Sequence, residues 1–155
     1  MSTIDYEIYT LLPFLLPKII VATICGAIIG YDREIKQKAA GIRTNILICV
    51  GCALLTGYSF FIKDSIVSTD PTRIIGQIIT GIGFMGAGSI MRSDNKLIGV
   101  TTAAFIWVVS AIGVLVGMGA IITPIIISIG LVIISRFFER VEKFIKSKNT
   151  KENED

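Results

Sequence analysis

The charges of this chain are gathered between long apolar runs. The stretches Leu11–Tyr31, Ile46–Ile62, Ile74–Met91, Leu97–Met118 and Ala120–Phe138 contain no Asp and no Glu. Their only basic residues are Lys18, near the start of the first, and Arg136, near the end of the last. The hydrocarbon core of a bilayer, about 30 Å thick, takes roughly 17–25 apolar residues per helix. The pattern therefore predicts an all-α polytopic bundle of five transmembrane helices over 11–31, 46–62, 74–91, 97–118 and 120–138. A basic amphipathic tail over 139–155 becomes disordered from Ser147. Charged residues make up 17% of the 155 residues, against about 25% in soluble domains. That deficit supports a membrane protein.

The links between these runs set the orientation. The first, between Asp32 and Thr44, carries Arg33, Lys36, Lys38 and Arg43. The third carries Arg92 and Lys96, and the tail carries Arg136, Arg140, Lys143, Lys146, Lys148 and Lys151. The second has only Lys63 and Arg73, and the fourth has no basic residue. Basic residues collect in cytoplasmic links, so the N-terminus is expected outside and the C-terminus inside. Residues 1–10 lack Lys and Arg and so lack the positive leader of a signal peptide; the segment is expected to be retained.

Within the spans the small residues stand out. Ala22, Gly26 and Gly30 recur every four residues, which lets another helix approach closely, in the same chain or in a homodimer. Ala53 and Gly57 form a similar pair on the second span. Lys18 is placed to snorkel to the near interface. The first helix is expected to run past the bilayer to Gly41, supported by the Asp32–Lys36 and Glu34–Lys38 pairs. Thr44 or Asn45 then caps the second helix. The third span carries Gly76, Gly81, Gly83, Gly86 and Gly88 together with Gln77. Glycine costs about 1 kcal/mol against Ala in a helix interior, so these positions point to close backbone packing or to a pore. The string Gly81-Ile82-Gly83-Phe84-Met85-Gly86 matches a dinucleotide fingerprint in letters only, with no strand before it and no acid at the required distance after it. Thr101, Thr102 and a Trp107 packed against small residues mark the fourth span. Spans four and five, joined through Gly117-Met118-Gly119, should form a tight antiparallel hairpin.

Several chemistries are excluded. A net charge of +3 is too small for nucleic-acid binding. Cys49 and Cys52 have redox or zinc spacing, but the chain has no His and one further Cys, Cys25; all three read as small buried hydrophobes. No acid pair or nucleophile–base set lies within reach, so no enzyme and no cofactor are expected, and no metal ligands are assigned. The candidate site residues are a charged cluster, Asp32, Arg33, Glu34, Arg43 and Thr44, and a packing or pore set, Gly26, Gly30, Gln77, Gly81, Gly83, Gly86, Gly88, Thr101, Thr102 and Trp107.

Four segments resemble the MgtC/SapB family of bacterial inner-membrane proteins: Gly30-Tyr31-Asp32-Arg33-Glu34, Ala40-Gly41-Ile42-Arg43-Thr44, Gly81-Ile82-Gly83-Phe84-Met85-Gly86-Ala87-Gly88, and Gly99-Val100-Thr101-Thr102-Ala103-Ala104 with Trp107. They occur in the family's order and spacing over roughly residues 18–119. Asp32 stands where Glu is common, and Asn45 where His is common. The sequence ends before the soluble C-terminal domain of some members, so a short form is expected. The resemblance implies a cytoplasmic-membrane protein tied to growth at low magnesium. In some members it implies survival inside host cells and restraint of the proton-driven ATP synthase. Two function classes follow: a regulator acting through membrane-protein contacts, or a small Mg²⁺ transporter or channel using the glycine-rich third span.

Overall fold

The computed structural model describes residues 7–65, 70–93 and 96–152. A π-helical turn over Glu7–Leu11 runs into α1 (Leu12–Ile35), followed by α2 (Ile42–Ser65) and α3 (Pro71–Gly88). A short hairpin, β1 (Met91–Ser93) and β2 (Lys96–Ile98), separates α3 from α4 (Val100–Gly117), and α5 (Ile122–Glu152) closes the order. The all-α membrane-type bundle is as the sequence predicts. Four helices, α1, α2, α4 and α5, are long and apolar enough to cross a bilayer. The remaining one, α3, is diluted by Arg73, Gln77 and its glycines, and so the count of five spans is not carried by length and hydropathy.

α2 is the central helix. α1 meets it through Gly26 and Gly30, where an added Cβ would fall 2.7 Å from the Cα of Ile46 and 2.6 Å from the Cα of Ile42. α4 meets it on another side through Gly113 and Gly117, where an added Cβ would run into the carbonyls of Cys49 and Ala53. The core fills these seams with Ala22, Cys25 and Ile29 of α1, Cys49, Cys52 and Ala53 of α2, and Val109, Ile112 and Val116 of α4. Close backbone approach gives dispersion contacts, which drive helix association where lipid offers no hydrophobic gradient.

Several boundaries differ from the sequence expectation. α1 stops at Ile35, because Gln37 takes the left-handed conformation (φ 49°). The Lys38 N–H then bonds to the Arg33 carbonyl at 3.0 Å and the Gln37 N–H to the Glu34 carbonyl at 2.9 Å, the pattern of a Schellman stop. Glu34 is thereby freed from the expected pair with Lys38. Its carboxylate accepts from the Ile42 N–H at 2.9 Å and caps α2, a role expected of Thr44 or Asn45. Gly41 leaves room for that carboxylate, which a Cβ would push aside.

Met91 and Leu97, expected at helix ends, pair instead in the hairpin, with Met91 opposite Ile98 and Arg92 opposite Leu97. α4 begins after Gly99, whose φ of +93° only glycine adopts freely and whose missing side chain leaves room for the Ser89 carbonyl. At the start of α3, Asp70 accepts from the Thr72 N–H at 2.9 Å. The Thr72 hydroxyl and N–H hold the Asp70 carboxyl below its ordinary range. α5 does not form a tight hairpin with α4; it packs chiefly against α1. It also stays helical to Glu152, although disorder was expected from Ser147. Residues 1–6 and 153–155, and thus part of the expected N-terminal segment and tail, lie outside the described residues.

Candidate functional site

Asp32 and Arg33 are neighbours in sequence, both 2% exposed, and they face different helices. Asp32 turns toward α5. Its Oδ1 accepts from Arg136 Nε at 2.6 Å, and its Oδ2 lies 2.9 Å from Lys36 Nζ. The same ammonium reaches Glu139 at 2.8 Å, and Lys143 sits 3.8 Å from the other Glu139 oxygen. The result is a chain of alternating charges, Arg136–Asp32–Lys36–Glu139–Lys143, that ties the end of α1 to α5. Burial alone would lower the Lys36 pKa. The hydrogen bonds to Glu139 and Asp32 and their negative charges outweigh it and hold the ammonium above its ordinary value.

Arg33 turns toward α4. Its Nη2 donates to Thr102 Oγ1 at 2.9 Å, and its guanidinium lies 4.4 Å from the centre of the Phe105 ring. Among the described residues Arg33 has no carboxylate within ion-pair distance, and its buried Nε has no hydrogen-bond partner. Glu34, exposed, belongs to the α1–α2 turn. Asn45, fully buried, donates to the carbonyls of Ala40 at 2.9 Å and Gly41 at 2.7 Å and fixes the same turn. Arg43 points outward and stands apart from the Asp32 cluster, and Thr44 is half-buried at the edge of a groove. The polar link is thus two separate constructions: an ion cluster on α5 and a guanidinium anchored on α4.

That groove, of about 680 Å³, lies between α2 and α3. Thr44, Gln77 and Gly81 contribute to its lining, and most of the rest is aliphatic. Gly83 and Gly88 are exposed, and a Cβ at either would meet nothing within 4 Å. Gly86 makes ordinary contact with Ala103, at 3.7 Å. Gln77 and Thr101 are exposed. Trp107 is also half exposed, contrary to the expected packing against small residues. The reason is its place on α4, since Thr102, Ile106, Val109, Gly113 and Val116 form the buried stripe and Trp107 falls outside it.

Sequence reasoning missed four participants and misjudged a fifth. Arg136 and Glu139 entered only as link charges, and no local signal ties them to Asp32. Gly113 and Gly117 have the same four-residue spacing as Gly26 and Gly30 and were legible by the same rule. Lys18 does not simply reach for the interface. It donates to the Gly117 carbonyl at 2.7 Å and lies 4.0 Å from the centre of the Phe14 ring, so that it closes the C-terminal end of α4. Among the described residues no three His, Cys, Asp or Glu side chains converge to hold a metal ion.

Comparison with known proteins bears on this arrangement. The family model described as the MgtC family matches residues 19–144. YhiD of Escherichia coli (strain K12), provisionally named a magnesium transporter, is 37% identical over 141 residues, covering 88% of this chain and 65% of its own length. A Haemophilus influenzae protein described as uncharacterized is 34% identical over 139 residues, covering 85% of this chain and 58% of its own. Protein MgtC of Salmonella typhimurium is 43% identical over 108 residues, covering 69% of this chain and 44% of its own. The chain spans less than two thirds of the length of these relatives. No solved structure matches it.

Proposed function

Since the chain belongs to the MgtC family, we propose that it is a multi-pass protein of the bacterial cytoplasmic membrane that regulates magnesium homeostasis and adaptation to low Mg²⁺ through contacts with other membrane proteins. The observation that carries the regulatory reading is the state of Asp32. It is a buried carboxylate, and Arg136 and Lys36 already hold it. Mg²⁺ demands near-octahedral oxygen ligation and sheds its water reluctantly, usually with carboxylate help. The apolar stretches offer neutral groups such as Thr56, Gln77, Thr80 and Ser110, and a carboxylate site for a carrier is missing from them.

In this reading five helices span the bilayer, with α3 completed by its contacts rather than by its hydropathy. The N-terminus is outside, and the Asp32 cluster lies at the cytoplasmic face with the basic links. The exposed glycine-bearing face of α3, with Phe84 84% exposed, is the surface offered to a partner helix, either from a second copy or from another membrane protein. The family resemblance suggests the ATP synthase as one such partner and a role in survival within a host. Purified protein in liposomes with a trapped Mg²⁺ indicator tests the reading, which expects no influx above empty liposomes.

The groove between α2 and α3 favours a second reading, a small cation channel. Gln77 and Thr44 line it, and their oxygens would replace part of an ion's hydration water. In that case influx is saturable and is abolished by Gln77→Leu.

A further inference from the structure

We propose that Arg33 and the first turn of α4 form a binding site for a phosphate group, presented either by a phospholipid headgroup or by a soluble phosphate compound. Two unsatisfied positive features meet there. The first is the Arg33 guanidinium, 2% exposed, with its Nε unpartnered and no carboxylate within ion-pair distance among the described residues. Its immediate neighbour Asp32 is committed to Arg136 and Lys36. The second is the N-terminus of α4, an 18-residue helix whose N-cap, Gly99, supplies no side-chain cap. The N–H groups of a first helical turn and the positive end of the helix dipole attract anions.

The two features are joined by a direct contact. Arg33 Nη2 donates to Thr102 Oγ1 at 2.9 Å, and Thr102 lies in that first turn. A cation placed at the positive end of a helix is unfavourable by the same dipole argument that favours an anion there. Asp32 and Glu139 act on the Arg33 guanidinium through space, but neither carboxylate bonds it directly, and a buried charge without a direct partner is costly in a protein interior. An anion at this turn relieves both. Val100 and Thr101 of the same turn are exposed, so an anion reaches the turn from their side while Arg33 and Thr102 back it from within. Lys96, on the adjoining hairpin, is exposed as well. A phosphate fits because its oxygens accept charge-assisted bonds from guanidinium, hydroxyl and backbone N–H together.

The test uses the full chain in non-ionic detergent at constant ionic strength, with the melting midpoint as readout. Three additions are compared: inorganic phosphate against chloride, phosphatidylglycerol, and a glucosyl diacylglycerol that lacks phosphate. The proposal expects a rise of roughly 3 °C with phosphate, with phosphatidylglycerol, or with both. Phosphatidylglycerol alone identifies a lipid source, and inorganic phosphate alone a soluble one. Thr101→Glu places an anion on the exposed side of the same turn, so it should raise the basal midpoint and erase the increment. Thr102→Val should halve the increment or more without unfolding the chain. Arg33→Gln should remove it if the variant folds, and Thr101→Glu keeps the test decisive if it does not. No rise with either phosphate source, or an equal rise with the glycolipid, overturns the proposal. An increment unchanged in Thr101→Glu and Thr102→Val means an adventitious ion only and overturns it as well.

Discussion

Arg136 Nε lies 2.6 Å from Asp32 Oδ1 across 104 residues of sequence, and with the Lys36–Glu139 pair it fastens the last helix to the first. α5 is otherwise the most weakly held of the apolar helices, with 11% of its most apolar window buried. Asp32→Asn should therefore loosen α5 on α1 while the α1–α2–α4 core persists. A hydrogen bond to a charged group contributes about 1.5–3 kcal/mol, and a loss of that order is expected in thermal stability. Limited proteolysis should cut earlier, near Arg140, in the variant. The swap Asp32→Arg with Arg136→Asp should recover part of the loss, and two single variants as stable as the parent would show that the pair is ornamental.

The pH dependence follows from Lys36. Its pKa is raised in the folded chain from an ordinary value of 10.5, so the folded form holds the proton more tightly than the unfolded one. The stabilisation is then fully present below 10.5 and is lost as pH climbs through the raised value. Between pH 7 and 9 the attachment of α5 should not change. Lys36→Met should flatten the alkaline limb of a stability–pH curve, with no effect on its slope near neutrality.

The glycines separate into two groups with opposite predictions. Gly30→Ala and Gly117→Ala each put a Cβ within 3 Å of α2 atoms, and overpacking of this kind costs about 1–3 kcal/mol or more. Gly83→Ala and Gly88→Ala enter open space and replace a poor helix former, which favours the helix by up to about 1 kcal/mol. If the α3 face is a partner surface, these two variants should be stable and well expressed yet fail to support growth at low magnesium. Normal growth with both would remove α3 from the proposed contact surface.

Gln37 is the one described non-glycine residue at positive φ. A left-handed backbone costs an ordinary L-residue about 1–2 kcal/mol, whereas glycine bears no such cost. Gln37→Gly should therefore hold or raise stability, and Gln37→Val should lower it, as measured by the thermal midpoint in detergent.

The sequence carried the fold because the bilayer imposes a length and a polarity that apolar runs report directly. Gly26 and Gly30 were legible as contacts because a four-residue spacing on a helix is a face. What could not be read was which helix lies against which face. Asp32 and Arg33 are adjacent letters, and periodicity places both at the end of α1. Only the packing sends one to Arg136 and the other to Thr102. The early stop of α1 is not legible in the sequence because glutamine is not a left-handed residue by preference, and Gly41 is the more conventional terminator. The exposure of Trp107 was missed for a related reason, since a Trp inside an apolar run gives no sign of whether lipid or protein is its neighbour. Arg43 and Thr44, grouped with Asp32 by nearness in the chain, belong to the far side of a turn that Glu34, Gly41 and Asn45 close.

The central claim is that this chain contacts other membrane proteins and does not itself carry Mg²⁺. The most direct measurement is Mg²⁺ entry into liposomes containing the purified chain, with an imposed gradient and a trapped indicator. The account predicts entry no faster than in protein-free liposomes, both for the parent and for Gln77→Leu. Saturable entry in the parent that disappears in Gln77→Leu or in Gly81→Leu, with the fold intact, would contradict it and establish the groove between α2 and α3 as a conduction path.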